Sequence, residues 1–225
     1  ASIFRRLSVA ENVQAVLDSV DTIRALVQKG PWATIMPVSV YKEAGTASEV
    51  AMSQITGIQL NNGKPPFDNK EVRWAVVLAT DIVDFTMTGF DGMATPGAML
   101  VPPTPAYMKW YYLPMQSWLE SVSIEVDGKP FKPYDTTVPQ RLAQKARERG
   151  YTVPTDAAKI REIWGYGWWR YSPDVAAKLL ERNGFRKNAD GKWLLPDGTP
   201  WKFDITTVNN TSHPQYRNAT AMAQQ

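Results

Sequence analysis

Prolines break this chain at short intervals: seventeen of them, with fourteen glycines, punctuate 225 residues. Each proline fixes φ and withholds a backbone donor, and each glycine lets the chain turn, so long unbroken helices and wide flat sheets are excluded. The sharpest break is "LNNGKPPFDNKEVRWAVVLATDI" (60–82). Pro65 and Pro66 hold an extended corner, and Asp68 or Asn69 supplies the side-chain oxygen that caps a helix starting at once. Glu71 falls in its first turn, where the helix dipole favours an anion. Val72, Ala75, Val76, Ala79 and Val83 make the apolar stripe. A stiff corner locked to a helix start, with no reactive group beside it, is a scaffold element.

Helix and strand patterns alternate on either side of it. A helix is expected over about 10–29, with Val13, Leu17, Val20, Ile23 and Val27 on one face and Gly30-Pro31 as its stop. Extended runs follow at 32–41 and 53–62, the second closed by the turn Asn61-Asn62-Gly63. Residues 89–106 form a long Gly/Pro-rich loop without periodicity. "VDGKP" (126–130) reads as a turn between two short strands, and helices are expected at about 138–149 and 155–164. "WGYGWWRY" (164–171) packs aromatics densely, then Ser172-Pro173-Asp174 opens a helix with a hydroxyl cap, proline and an acid, ending at Gly184. The turns Asp190-Gly191 and Asp197-Gly198 bound a hairpin leading into a strand at 201–208. A last helix begins at Pro214 and still runs at Gln225, with no C-cap glycine, as expected of a chain cut within a longer protein. The fold class read from this alternation is α/β (α+β), a mixed sheet flanked by helices.

Composition removes several function classes. The absence of cysteine excludes disulfides, thiolate chemistry and cysteine metal sites. A net charge of +3, without a clustered basic face, gives no nucleic-acid footprint; "RLAQKARERG" (141–150) reads as a solvated helix flank. No apolar run reaches bilayer length, and no signal peptide opens the chain.

Catalytic patterns are equally sparse. The single histidine, His213, lies before Pro214 in a polar turn, and no serine occupies a G-x-S-x-G elbow. No carboxylates stand at metal-ligand spacing, so neither a metal nor a cofactor is expected. Asp81 and Asp84, three apart on the helix after the proline corner, form the pair a hydrolase would use; exposed helix faces or helix-end hydrogen bonds explain them as well. The glycines miss the Rossmann and P-loop spacings. Recognition suits these residues better than catalysis.

Three segments in series resemble the extracellular solute-binding proteins of family 5, the oligopeptide/dipeptide/nickel-type receptors of ABC importers. "GIQLNNGKPPFDNKEVRWAVVLATDI" (57–82) looks like the family's strand, asparagine, lysine, PPF, D and helix. It does so through Asn61, Lys64, Pro65, Pro66, Phe67, Asp68, Val72, Arg73, Ala75, Ala79 and Asp81. "YSPDVAAKLLERNGF" (171–185) is similar to its D-P-x-x-A-x-x-L-L-x-x-x-G helix, and "DGTPWKFDITTVNNTS" (197–212) to the following strand and turn. The likeness covers about 55–225. Two departures stand out: 131–169 is long for its place, and Asp81-Ile82 replaces an Asp-Arg pair.

The resemblance implies that residues 1–225 are one lobe, the C-terminal one, of a two-lobed periplasmic-binding-protein-like fold. It implies a non-enzymatic, periplasmic or extracellular component, lipid-anchored or free in the full-length protein. Such a component would hold a peptide or other small solute between the lobes and hand it to a membrane permease. Asn209, Asn210, Thr211, Ser212 and Gln215, at a strand end feeding a helix start, and Trp168 in the aromatic run, are the expected ligand contacts.

Overall fold

The computed structural model describes residues 58–99, 101 and 107–205. Among them the elements run α1 (Lys70–Leu78), α2 (Ile82–Gly89), a π-helical turn (Met108–Tyr112) passing directly into α3 (Leu113–Ser121), β1 (Ile124–Val126), β2 (Lys129–Phe131), β3 (Tyr134–Asp135), α4 (Val138–Glu148), α5 (Ala157–Trp164), β4 (Trp168–Trp169), α6 (Pro173–Arg182), β5 (Arg186–Lys187) and β6 (Trp193–Leu194). Helices mixed with small antiparallel sheets fit part of an α/β solute-binding fold. The sheets among the described residues are three two-stranded ladders, β1–β2, β3–β4 and β5–β6. The expected helix at 10–29, the extended run at 32–41 and the helix from Pro214 lie outside the described residues.

The proline corner forms as a turn around a cis Pro65–Pro66 peptide, where extended backbone was expected, because the chain closes back on Lys64. Phe67 and Asp68 both donate backbone N–H to the Lys64 carbonyl, and Asn69 is the cap, its side chain accepting from Glu71 N at 2.8 Å. The single expected helix is two. Thr80 turns its hydroxyl back onto the Val76 carbonyl at 2.9 Å, and Asp81 has extended φ/ψ and caps α2 by accepting from Val83 N and Asp84 N. A carboxylate that can hold two amide protons makes a better helix start than interior, so the chain restarts there. Leu78 closes the buried face of α1 in place of the expected Ala79, which is exposed, and Val83 belongs to another core.

Two cores result. In one, α1 lies against α6, with Val72, Ala75 and Leu78 packed on Ala176, Leu179, Leu180 and Phe185, and Val126 of β1 closing the cluster. In the other, Val83 and Met87 of α2 pack on Val138, Leu142, Ala143 and Ala146 of α4 and on Ile160 and Trp164 of α5.

The turn between β1 and β2 has Asp127 and Gly128 at φ 52° and 73°, the doubly left-handed geometry of a tight hairpin. Three expectations are corrected. Ser172 precedes α6 without side-chain capping; its backbone N–H goes to the Leu78 carbonyl at 2.7 Å, tying α6 to the end of α1. Residues 201–205 make no regular strand, although Trp201 N reaches the Trp193 carbonyl at 3.0 Å and Pro200 bridges Leu194. Residues 58–60 likewise make none. Among the described residues no helix is long and apolar enough to cross a membrane.

Candidate functional site

The aromatic run 164–171 divides into three roles. Trp164 is buried, its indole N–H donating to the Gly92 carbonyl at 2.8 Å, so it pins the Gly/Pro loop to the core. Trp169 lies edge-on to Trp74 at 5.0 Å and to Tyr134 at 5.8 Å, wedged between α1 and β3. Trp168 pairs with Asp135 across the β3–β4 ladder and packs half-buried against the α2–α4–α5 core. Its Nε1 is buried and finds no acceptor among the described residues. A buried donor without a partner costs the lost hydration of that group, about 1–3 kcal/mol, so such positions ask for an explanation.

Trp168 is the one expected ligand contact that the described residues include. Asn209, Asn210, Thr211, Ser212 and Gln215 lie outside them, as does His213.

The loop at 95–103 is held at many points. Thr95 donates its hydroxyl to the Ile163 carbonyl at 2.6 Å, and Tyr112 sends its hydroxyl to the carbonyls of Met99 (3.2 Å) and Val101 (2.7 Å). Burial pushes the Tyr112 phenol pKa up, against a smaller opposing effect of the bond to Met99. Gly97 lies so close to Tyr112 that an added Cβ would strike the hydroxyl. The described part of this loop is thus fastened to the neighbouring helices.

The Asp81/Asp84 pair resolves differently from an acid–base dyad. Asp81 spends an oxygen on the two amides of the α2 start and lies 3.9 Å from Arg141. Asp84 is exposed, with Thr88 as a distant donor at 3.4 Å. Both border an open groove of about 530 Å³ between α2 and α4, floored by Val83 and Met87 and walled by Arg141, Lys145 and Arg149. Nothing there excludes water, and one member of the pair is committed to a cap. Among the described residues no three His, Cys, Asp or Glu side chains gather as a metal site.

One surface escaped the sequence reading. From Tyr107 to Ser121 the chain is helical, and its outward face carries Trp110 (67% exposed), Tyr111, Leu113 and Trp118 (55%). Tyr112 and Leu119 anchor the opposite side in the interior. The available signal was the spacing of Tyr111, Pro114 and Trp118, three and then four residues apart. The two prolines around it and the density of aromatics hid the helix.

Comparison with known families agrees with these features. The family described as "Bacterial extracellular solute-binding proteins, family 5 Middle" matches residues 12–225. No curated protein and no solved structure matches the chain. With nearly its whole length matched, the chain belongs to the family 5 bacterial extracellular solute-binding proteins.

Proposed function

We propose that this chain forms one lobe, the C-terminal one, of a two-lobed receptor. The receptor takes a peptide or another small solute into the cleft between its lobes and delivers it to an ABC permease, in the periplasm or at the cell exterior. The observation that carries this reading is the family match over residues 12–225. Two features support it. Asp81 is committed to the α2 cap and lies against Arg141, and α1 is tied to α6 through Glu71, Arg182 and Asn183. A receptor that closes by hinge motion needs such stiffness within each lobe.

Trp168 and Trp201 are the described residues whose buried indole N–H finds no partner among them, and the Trp168 N–H is assigned to the solute. The terminal contacts Asn209, Asn210, Thr211, Ser212 and Gln215 complete the proposed set.

Thermal-shift screening of the complete receptor against short peptides, sugars and metal chelates tests the reading. A specific solute at a hundred times its dissociation constant adds about 2.7 kcal/mol of stability, a plain rise in Tm. Turnover of a peptide, ester or glycoside that disappears in Asp84→Asn would overturn it.

A further inference from the structure

We infer that Asn62 is a site of spontaneous deamidation, and that the chain's other Asn-Gly pair, Asn183-Gly184, is locked against the same reaction by the fold. The reaction is intramolecular and takes only water. The Gly63 backbone nitrogen gives up its proton and attacks Asn62 Cγ. A bond forms between them, the Cγ–Nδ2 bond breaks, and Nδ2 leaves as ammonia with that proton. Water then opens the cyclic imide. Cleavage at Cγ leaves aspartate, and cleavage at the backbone carbonyl leaves isoaspartate, with no change of oxidation state.

Glycine after asparagine leaves this attack open, because no Cβ crowds the nitrogen. What separates the two pairs is how each carboxamide is held. Asn62, Gly63 and Lys64 are all exposed where the chain turns into the proline corner. Among the described residues no hydrogen bond is made to the Asn62 side chain. The Gly63 N–H has one partner there, the Asn61 Oδ1 at 3.1 Å, an exposed contact that water can replace. The same oxygen is the nearest atom that a Cβ at Gly63 would meet, at 3.4 Å. Asn183 is the reverse case. Its Nδ2 donates to Glu71 Oε2 and to the Leu179 carbonyl, both at 2.7 Å, and its Oδ1 accepts from Asn69 at 2.7 Å. The nitrogen that would attack it, Gly184 N, donates to the Glu181 carbonyl at 3.0 Å. All of these bonds must break before Cγ can swing round to Gly184, so the reaction there waits for local opening of the tie between α1 and α6. At residue 62 the product is a carboxylate close to Lys64, and isoaspartate also adds a methylene to the backbone that feeds Pro65-Pro66.

Peptide mapping by mass spectrometry provides the test, on the complete receptor held in mildly alkaline buffer, with isoaspartate-specific methylation as a second readout. In the folded protein the peptide carrying Asn62 should take on the acid mass while the peptide carrying Asn183 keeps its amide. In urea the two should convert at comparable rates, which assigns the difference to the fold. Gly63→Ala fits the open space and should suppress most of the conversion at residue 62, with far-UV circular dichroism unchanged. An Asn62 peptide that keeps its amide in the folded receptor overturns the inference, whether or not urea releases it. Asn183 converting as fast as Asn62 before unfolding overturns the lock. Conversion at residue 62 undiminished by Gly63→Ala overturns the route through this nitrogen.

Discussion

Arg182, in the last turn of α6, grips Glu71, in the first turn of α1, with two nitrogens: Nη2 donates to Oε1 at 2.5 Å and Nε to Oε2 at 3.2 Å. The pair is the hub of a wider tie. Asn183 donates to Glu71 Oε2 at 2.7 Å and accepts from Asn69, the α1 cap, while Arg182 also reaches Glu125 of β1 at 3.1 Å. The two helices cross the core with opposite dipole ends adjacent, so the anion lies at an N-terminus and the cation at a C-terminus.

Removing either partner should therefore be felt beyond the value of a lone surface pair. An isolated exposed ion pair is worth about 0–1 kcal/mol. Glu71 also serves Asn183 and the α1 dipole, so Glu71→Ala should cost about 1–2 kcal/mol and Arg182→Ala about 1 kcal/mol. In urea denaturation the double variant should lose less than the sum of the singles. Strict additivity would show that the two side chains do not share a network.

The separation of the two cores makes a second expectation. Leu78 and Leu142 are fully buried, one in each cluster. Truncating either to alanine should cost about 2–5 kcal/mol. Because they share no packing partners, the losses should add to within about 0.5 kcal/mol. A coupling larger than that would mean that the clusters behave as one core.

Much of this arrangement was legible in the residues, and the failures have physical causes. Asn69, Glu71, the Asp127-Gly128 turn and the α4 and α5 boundaries follow from local hydrogen-bond chemistry, which short-range sequence expresses directly. The helix-end hydrogen bonds read for Asp81 do form, but the break they make was hidden, because a carboxylate inside an apolar stripe gives no sign that its side chain restarts the helix. Ser172 misled the other way, since a tertiary bond to Leu78 displaced the local cap. The helix over 107–121 was hidden because its apolar residues face outward, against the pattern that marks a core-packed helix. Of the expected site, only Trp168 can be placed, and its unmet N–H was beyond any sequence pattern.

Gly97 offers a test of the loop anchor. A methyl group there meets the Tyr112 hydroxyl, so Gly97→Ala must displace the ring from the carbonyls of Met99 and Val101. A loss of about 1–3 kcal/mol is expected, the scale of overpacking at a tight contact. Adding Tyr112→Phe removes the colliding oxygen and should recover part of that loss. Thermal unfolding of the three variants reads it; a double variant less stable than Gly97→Ala would place the conflict elsewhere.

Tyr134 should govern the alkaline limb of stability. Burial pushes its phenol pKa up to about 12, opposed by a weak hydrogen bond to Gln116 and reinforced by the nearby charges of Glu120 and Asp135. The unfolded chain ionises near the ordinary tyrosine value of about 10. Below that pH both states carry the proton and nothing is lost. From about 10 to about 12 the unfolded state sheds its proton while the folded one keeps it, so stability falls across that window. Tyr134→Phe cannot ionise and should flatten that fall, at some fixed cost at neutral pH from the lost hydroxyl. Urea midpoints measured at half-unit steps from pH 9 to 11.5 should show the wild-type curve converging on the variant's; parallel curves would mean that the ring ionises freely within the fold.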